Sequence, residues 1–216
     1  CERRLLQRED DLRLRAAHLN VNVEEELAAA GLEYPQPKER ISRYVEALKI
    51  ARDIMKKRRC HFKGDFYNIS ISKDFLTPQY DAPPLVGSAG GPRALKEISP
   101  LVDRIEINST ARATRGGKID LEIMATIEEH EIKAQIDLVK SVNPDIPISI
   151  FLLIAVGEEN EVMGIQDSLG EGYLANFIGP EEKVRENLVS LERLGIDRIQ
   201  LTEFFPGSHK RLSEML

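Results

Sequence analysis

The residues whose types and spacing suit them best to chemistry lie between Pro84 and Leu95, where the chain reads Pro-Leu-Val-Gly-Ser-Ala-Gly-Gly-Pro-Arg-Ala-Leu. Leu85 and Val86 favour a strand. Gly87, Gly90 and Gly91 permit positive φ and close backbone approach. Pro92 suits the first position of a helix, where its missing N–H costs nothing. A strand Leu85–Gly87, a turn of small residues (Gly87, Ser88, Ala89, Gly90, Gly91, Pro92) and a helix after it aim free N–H groups at one point. Such a point holds an anion, most often phosphate. Arg93 either adds charge there or salt-bridges outward. A tight turn that only lets the helix pack on the sheet uses the same glycines, and both readings stand at this point.

Other candidates follow. Asn108 ends an apolar strand and either contacts a ligand or caps the next loop. Arg112 and Arg115 sit in a basic, glycine-containing loop, 111–118, placed to close over an anion or to be solvated. Glu106, opposite Ile105 and Ile107 by alternation, either points into the interior of a barrel or, as the favoured reading, forms a structural ion pair with Arg104 or Arg198. Glu203 ends the last strand without an assignable proton-transfer role. Cys60 and His61 are neighbours with no second pair at metal-ligand spacing, so no zinc site is expected. His130 and His209 read as surface residues. The basic run Lys56–Arg59 matches the dipole at a helix C-terminus.

The 216 residues are 42% hydrophobic and carry a formal net charge of −6. That balance suits a buried core and argues against a general nucleic-acid binder, which needs a basic surface. The longest apolar run, Ile146 to Val156, is too short for a membrane span. Two cysteines are too few for a disulfide framework, so a reducing cytoplasm is the expected setting. The chain opens on Cys1 rather than Met, which suggests that an N-terminal portion is missing.

These residues must be positioned by an alternation of strand and helix. Residues 1–33 read as a helical arm, with an amphipathic stretch Cys1–Arg15 and a short helix Glu24–Ala30 closed by Gly31. A helix Lys38–Lys57 carries the stripe Ile41, Tyr44, Val45, Leu48, Met55. His61–Tyr67 reads as a hairpin, and Asn68–Pro83 as an irregular connection. Residues 84–203 form the regular repeats. Their strands are Leu85–Gly87, Arg104–Asn108, Pro147–Val156 and Ile196–Thr202. Their helices are Arg93–Ser99, Leu121–Val142, Glu158–Leu169 and Pro180–Leu194, with a terminal helix within Phe204–Leu216. Four parallel strands with helices outside make an α/β fold in one domain, 1–216. A complete barrel of this kind needs about 250 residues.

The order of Pro35–Met55, His61–Tyr67, Ala82–Leu95 and Gly179–Leu201 resembles the bacterial luciferase-like family of flavin- and deazaflavin-dependent oxidoreductases. The resemblance implies a (β/α)8 TIM barrel present here as its C-terminal half, with the first four strands absent. It implies an enzyme that passes hydride between a deazaflavin of the coenzyme F420 type and an unidentified small substrate. An FMN-dependent two-component monooxygenase is the alternative. It places the cofactor phosphate against Gly87, Ser88, Ala89, Gly90, Gly91 and Pro92, with Arg93 and Asn108 as further contacts. The groups that do the chemistry belong, by resemblance, to the absent strands, so no catalytic residue is assigned. Family members are commonly homodimers, and a half-barrel edge also invites association. Two other classes remain: a non-catalytic half-barrel that binds a phosphate ligand, and an isomerase or lyase barrel with a phosphate-bearing substrate.

Overall fold

The computed structural model describes residues 23–72, 81–114 and 120–214. Helix α1 (Val23–Ala29) ends at Gly31 with φ +71°. Helix α2 (Pro37–Lys57) starts with proline in its first turn and stops at Arg58, whose φ of +59° breaks the helical path. The expected hairpin is longer than its aromatic residues suggested. Strand β1 (Cys60–Lys63) pairs antiparallel with β2 (Asn68–Ile71), which occupies the start of the stretch read as irregular. What holds its turn is a helix side chain. The Glu46 carboxylate, on α2, accepts the backbone N–H groups of Asp65 (2.8 Å), Phe66 (3.1 Å) and Tyr67 (3.1 Å). Burial pushes the Glu46 carboxyl upward, but these three donors outweigh it and hold the group below its ordinary range.

The main sheet is parallel. Strands β3 (Val86–Ala89), β4 (Arg104–Asn108) and β5 (Ile148–Val156) follow in order, and β7 (Arg198–Glu203) pairs along β5. A two-residue strand missed in the sequence, β6 (Ile178–Gly179), pairs with Ala155 and Val156 of β5. The sheet therefore has five strands rather than four. It is open: the described strands do not close into a barrel. Ile105, Ile107, Ile148, Ile150, Leu152 and Ile154 are fully buried on the face that carries the helices. The opposite face is mixed, with half-buried Glu106, Asn108, Phe151 and Leu153.

Helix α3 (Pro92–Ile98) follows β3. The long helix expected over Leu121–Val142 is instead two: α4 (Leu121–Ala125) and α5 (Glu129–Val142). Apolar spacing continues across the break, but local capping overrides it. The Thr126 hydroxyl donates to the Ile123 carbonyl, and the Glu131 carboxylate accepts the Glu128 N–H (3.2 Å), which starts a new helix. Helices α6 (Glu159–Leu169), α7 (Glu181–Arg193) and α8 (Ser208–Ser213) complete the layer, with a 3-10 turn at Tyr173–Phe177. The amphipathic stretch Cys1–Arg15 lies outside the described residues. No described helix is long and apolar enough to cross a membrane.

Two aspartates set the register at the bottom of the sheet. Asp103 accepts the Leu85 N–H on Oδ2 (2.9 Å) and donates its own N–H to the Leu85 carbonyl (2.8 Å). Asp197 does the same to Ile148, at 2.6 and 2.8 Å. Both head a strand of the same pattern, Asp-Arg-Ile-Glu-Ile at 103–107 and Asp-Arg-Ile-Gln-Leu at 197–201. Lys56 reaches Asp103 at 2.5 Å, and this ammonium, with the Leu85 N–H, holds the Asp103 carboxyl below the ordinary carboxylate range. A group so depressed stabilises the fold above its unfolded pKa and loses that contribution as pH falls through its folded one. Asp103→Ala is expected to cost about 1–3 kcal/mol in urea unfolding, because it strands the Leu85 N–H. Asp103→Asn is expected to keep part of that stability and to flatten the fall seen below about pH 4.

Candidate functional site

The rim at the C-terminal ends of β3 and β4 gathers most of the candidates. The turn there is shorter than expected. Gly87, Ser88 and Ala89 belong to β3, so only Gly90 and Gly91 connect strand to helix, and Pro92 opens α3. None of the three glycines has a positive φ; such values fall at Gly31, Gly170, Gly179, Gly195 and Gly207. Gly87 and Gly90 serve close approach instead. A methyl on Gly87 would press on Val102 Cγ1 (2.9 Å), close to Ile98 Cδ1 (3.4 Å) and the Tyr44 hydroxyl (3.5 Å). A methyl on Gly90 would strike the Ala111 Cβ and lie 2.7 Å from the Asn108 carbonyl oxygen. Gly90 thus brings the two rim turns into contact. At Gly91 a methyl would meet nothing within 4 Å.

Gly91 is the N-cap of α3, in extended geometry (φ −85°, ψ 146°), and no side chain caps the helix. The Leu95 N–H bonds the Gly91 carbonyl (3.0 Å). The N–H groups of Arg93 and Ala94 precede any intrahelical acceptor and face outward from the helix start. They are the donors an anion would use. Arg93 lies beside them, but its guanidinium is engaged in the protein. It bonds Glu97 (2.6 Å), the Lys38 carbonyl (3.0 Å) and the Ser42 hydroxyl (2.9 Å), tying α3 to the start of α2.

Asn108 caps the loop after β4: its Oδ1 accepts from both the N–H and the hydroxyl of Thr110, each at 3.0 Å. That leaves the two Nδ2 protons as its available donors. Ser109, buried, donates to the Phe151 carbonyl (2.8 Å). Arg112 folds back onto the break between α4 and α5, with Nη2 2.8 Å from both the carbonyl and the hydroxyl oxygen of Thr126 and 3.2 Å from Glu131. Arg115 and the rest of 115–119 lie outside the described residues. Glu106 makes no ion pair with Arg104 or Arg198; it stands across the ladder from Ser88 on one side and Ser149 on the other. Tyr44 reaches the free edge of β3, where its hydroxyl accepts the Ser88 N–H (3.1 Å). Burial pushes its pKa upward, as does the charge of Glu106, against the Ser88 bond. Glu203 ends β7 on the C-terminal edge of the same parallel sheet, where it accepts the His209 N–H (3.3 Å) at the start of α8. His130 and His209 are exposed. Among the described residues no group of three or more His, Cys, Asp or Glu could hold a metal ion.

Between α2, α3 and α5, above the Gly90–Gly91 turn, lies a cavity of about 1110 Å³. Tyr44, Ile127, Ile132 and Leu138 give it apolar walls, and Arg112 and Gln135 bring polar groups into it. The Gln135 Nε2 donates to the Gly90 carbonyl (2.8 Å), so α5 holds the turn in place. Gln135 and the cavity escaped sequence reasoning. The one available signal was a polar residue beside the buried stripe Ile132, Ile136, Val139.

No family model matches the chain. The F420-dependent glucose-6-phosphate dehydrogenase of Amycolatopsis mediterranei (strain U-32) is 35% identical over 71 residues, which are 33% of this chain and 21% of that protein. An F420-dependent secondary alcohol dehydrogenase, solved in complex with an F420–acetone adduct, matches with TM-score 0.59 and 15% identity over 86% of this chain and 62% of its own. A riboflavin lyase, solved with modified FMN and riboflavin, matches with TM-score 0.59 and 10% identity over 90% of this chain and 61% of its own. The chain shares its fold with these two enzymes. It spans about three fifths of each of them, and the aligned stretch is about one fifth of the curated relative.

Two substitutions separate packing from ligand space at the turn. Gly90→Ala is expected to lower unfolding free energy by roughly 1–3 kcal/mol, because it forces the two rim turns apart. Gly91→Ala is expected to stay within about 0.5 kcal/mol of the parent, since its methyl enters open space. Urea unfolding of both variants checks the pair.

Proposed function

We propose that this chain is the cofactor-holding part of an F420-dependent oxidoreductase that passes hydride between a deazaflavin and a small substrate. The observation that carries the reading is an uncapped helix start, at Gly91–Ala94, opening beside a cavity of about 1110 Å³. The 35% identity over 71 residues to an F420-dependent dehydrogenase supports the choice of deazaflavin over FMN. The residues present fit such a group. Open space at Gly91 admits a phosphate to the Arg93 and Ala94 N–H groups, and the Asn108 Nδ2 is free to donate on the opposite side of the rim. Gly87, Ser88 and Ala89 serve by shaping the strand beneath, and Arg93 by fixing the helix that presents the donors. When bound, a deazaflavin supplies a ring carbon that takes or gives hydride. The protein's part is to fix the anionic arm, orient the ring and keep water from it. We further propose association, as a homodimer or with further strands, because among the described residues β3 pairs along one edge only.

Absorbance titration with F420 and with FMN tests the reading. F420 is expected to bind the more tightly. Gly91→Asp is expected to keep or raise stability, because aspartate is a favoured N-cap, while cutting F420 affinity roughly tenfold or more by placing like charge at the phosphate. Absence of F420 binding by the parent protein would overturn the reading.

A further inference from the structure

Among the described residues, β1 and β2 form a sheet of two strands with no third strand on either edge. A hairpin of that size is marginal in water unless something else holds it. Apolar packing holds this one only in part. Cys60 is buried, while Phe62, Phe66, Tyr67, Ile69 and Ile71 are half-buried and the residues between them are exposed. The stronger hold is polar. Glu46 of α2, itself buried, accepts the N–H groups of Asp65 (2.8 Å), Phe66 (3.1 Å) and Tyr67 (3.1 Å). Its carboxylate lies so close to the turn that a methyl on Gly64 would strike it. Three charge-assisted bonds thus converge on one group. Arg43, one turn earlier on α2, lies over the Phe66 ring (4.9 Å) and is itself held by Glu39 (2.6 Å).

The chain bends into the hairpin at Arg58, which closes α2 with φ +59°, a conformation uncommon for residues other than glycine. Two residues later, Cys60 opens β1. Burial pushes its thiol upward, with Asp53 and Lys57 of α2 acting on it as nearby charges. We propose that the hairpin is a strap that leaves α2 and returns to it as one unit, pivoting at Arg58 and latched by the Glu46 carboxylate. With the latch closed, the Cys60 thiol is covered. With it open, the thiol and the three turn N–H groups are bared together. Such an opening breaks only the contacts named above and leaves the parallel sheet intact, as sub-global opening does elsewhere. The strap borders the stretch of α2 that grips the rim, where the Lys38 carbonyl and Ser42 hold Arg93 and Tyr44 holds Ser88. It is independent of what the rim binds.

Alkylation of Cys60 by iodoacetamide in the full chain tests the strap, with Cys1→Ser leaving Cys60 as the one thiol. Strap opening exposes little surface, so the rate is expected to change little with urea below the unfolding transition. Alkylation through global unfolding would instead rise steeply with urea. Glu46→Gln is expected to speed alkylation roughly tenfold or more, because losing the charge weakens three bonds together. It is also expected to speed hydrogen exchange at the Asp65, Phe66 and Tyr67 amides by a larger factor than at those of β4 and β5. Glu46→Ala leaves room for acetate beneath the same three donors. Acetate, but not chloride at equal ionic strength, is expected to slow alkylation of that variant again. A Cys1→Ser rate that follows the global unfolding curve at every urea concentration overturns the proposal, and that measurement needs no Glu46 variant to fold. Equal acceleration of the turn and β5 amides in Glu46→Gln overturns it too, since Glu46 then supports the whole fold. Acetate that leaves the Glu46→Ala rate unchanged removes the carboxylate as the latch and overturns it as well.

Discussion

The rest of the structure depends on the register of the parallel sheet, and two carboxylates hold it. Parallel strands have no hairpin to align them. A slip of one residue turns every side chain to the opposite face. Here Asp103 and Asp197 each exchange two hydrogen bonds with the residue just before the ladder their own strand joins, Leu85 and Ile148. With those ends pinned, Gly87 sits beside Ile105 and Ile105 beside Ile148 on the helix-facing side. Glu106 and Asn108 then fall on the other face, and β3 and β4 end together at one rim. A one-residue slip would bury Glu106 against the helices.

The rim is built from this alignment. Because β3 and β4 end level, Gly90 meets Ala111 and the Asn108 carbonyl, and only a residue without a side chain fits between them. Helix α5 stands behind this contact and holds both turns, Gln135 on the Gly90 carbonyl and Glu131 on Arg112. Its start is therefore part of the site. The break after Ala125 gives Arg112 a carbonyl and a hydroxyl at Thr126 to grip, which an unbroken helix would not offer. The uncapped helix start and the cavity beside it are consequences of one arrangement of three backbone segments.

Much of this was legible along the chain. The strand Arg104–Asn108 has the expected ends, and Gly90-Gly91-Pro92 marks the passage from strand to helix. The periodicity of Ile41, Tyr44, Val45 and Leu48 gave the long helix α2. The errors have physical causes. Apolar spacing carried a single helix across Thr126–Glu128 because Glu128 and Glu131, whose capping box starts the second helix, are also good helix formers. Ile178–Gly179 forms a strand only because β5 extends past its other partners, and two residues have no period. Glu106 was read as an ion-pair partner of Arg104 or Arg198, but alternation places both arginines on its own face without bringing them within reach. Arg93 carries the right charge next to the turn, yet its bonds are to Glu97, Lys38 and Ser42.

The sequence alone determined the alternating α/β order, the helix-facing and open faces of β4, and the glycine turn as a place where backbone donors gather. These are local properties, set by side-chain period, proline geometry and the missing Cβ of glycine. Only the tertiary structure decided that Gly90 serves close packing rather than positive φ, that Arg93 is a structural tie, and that Gln135, some 45 positions along the chain, holds the turn. Those outcomes depend on which atoms meet across the sheet rim. Hydrogen-bond partners and excluded volume between distant segments are fixed by register and packing, and no spacing in the chain encodes them.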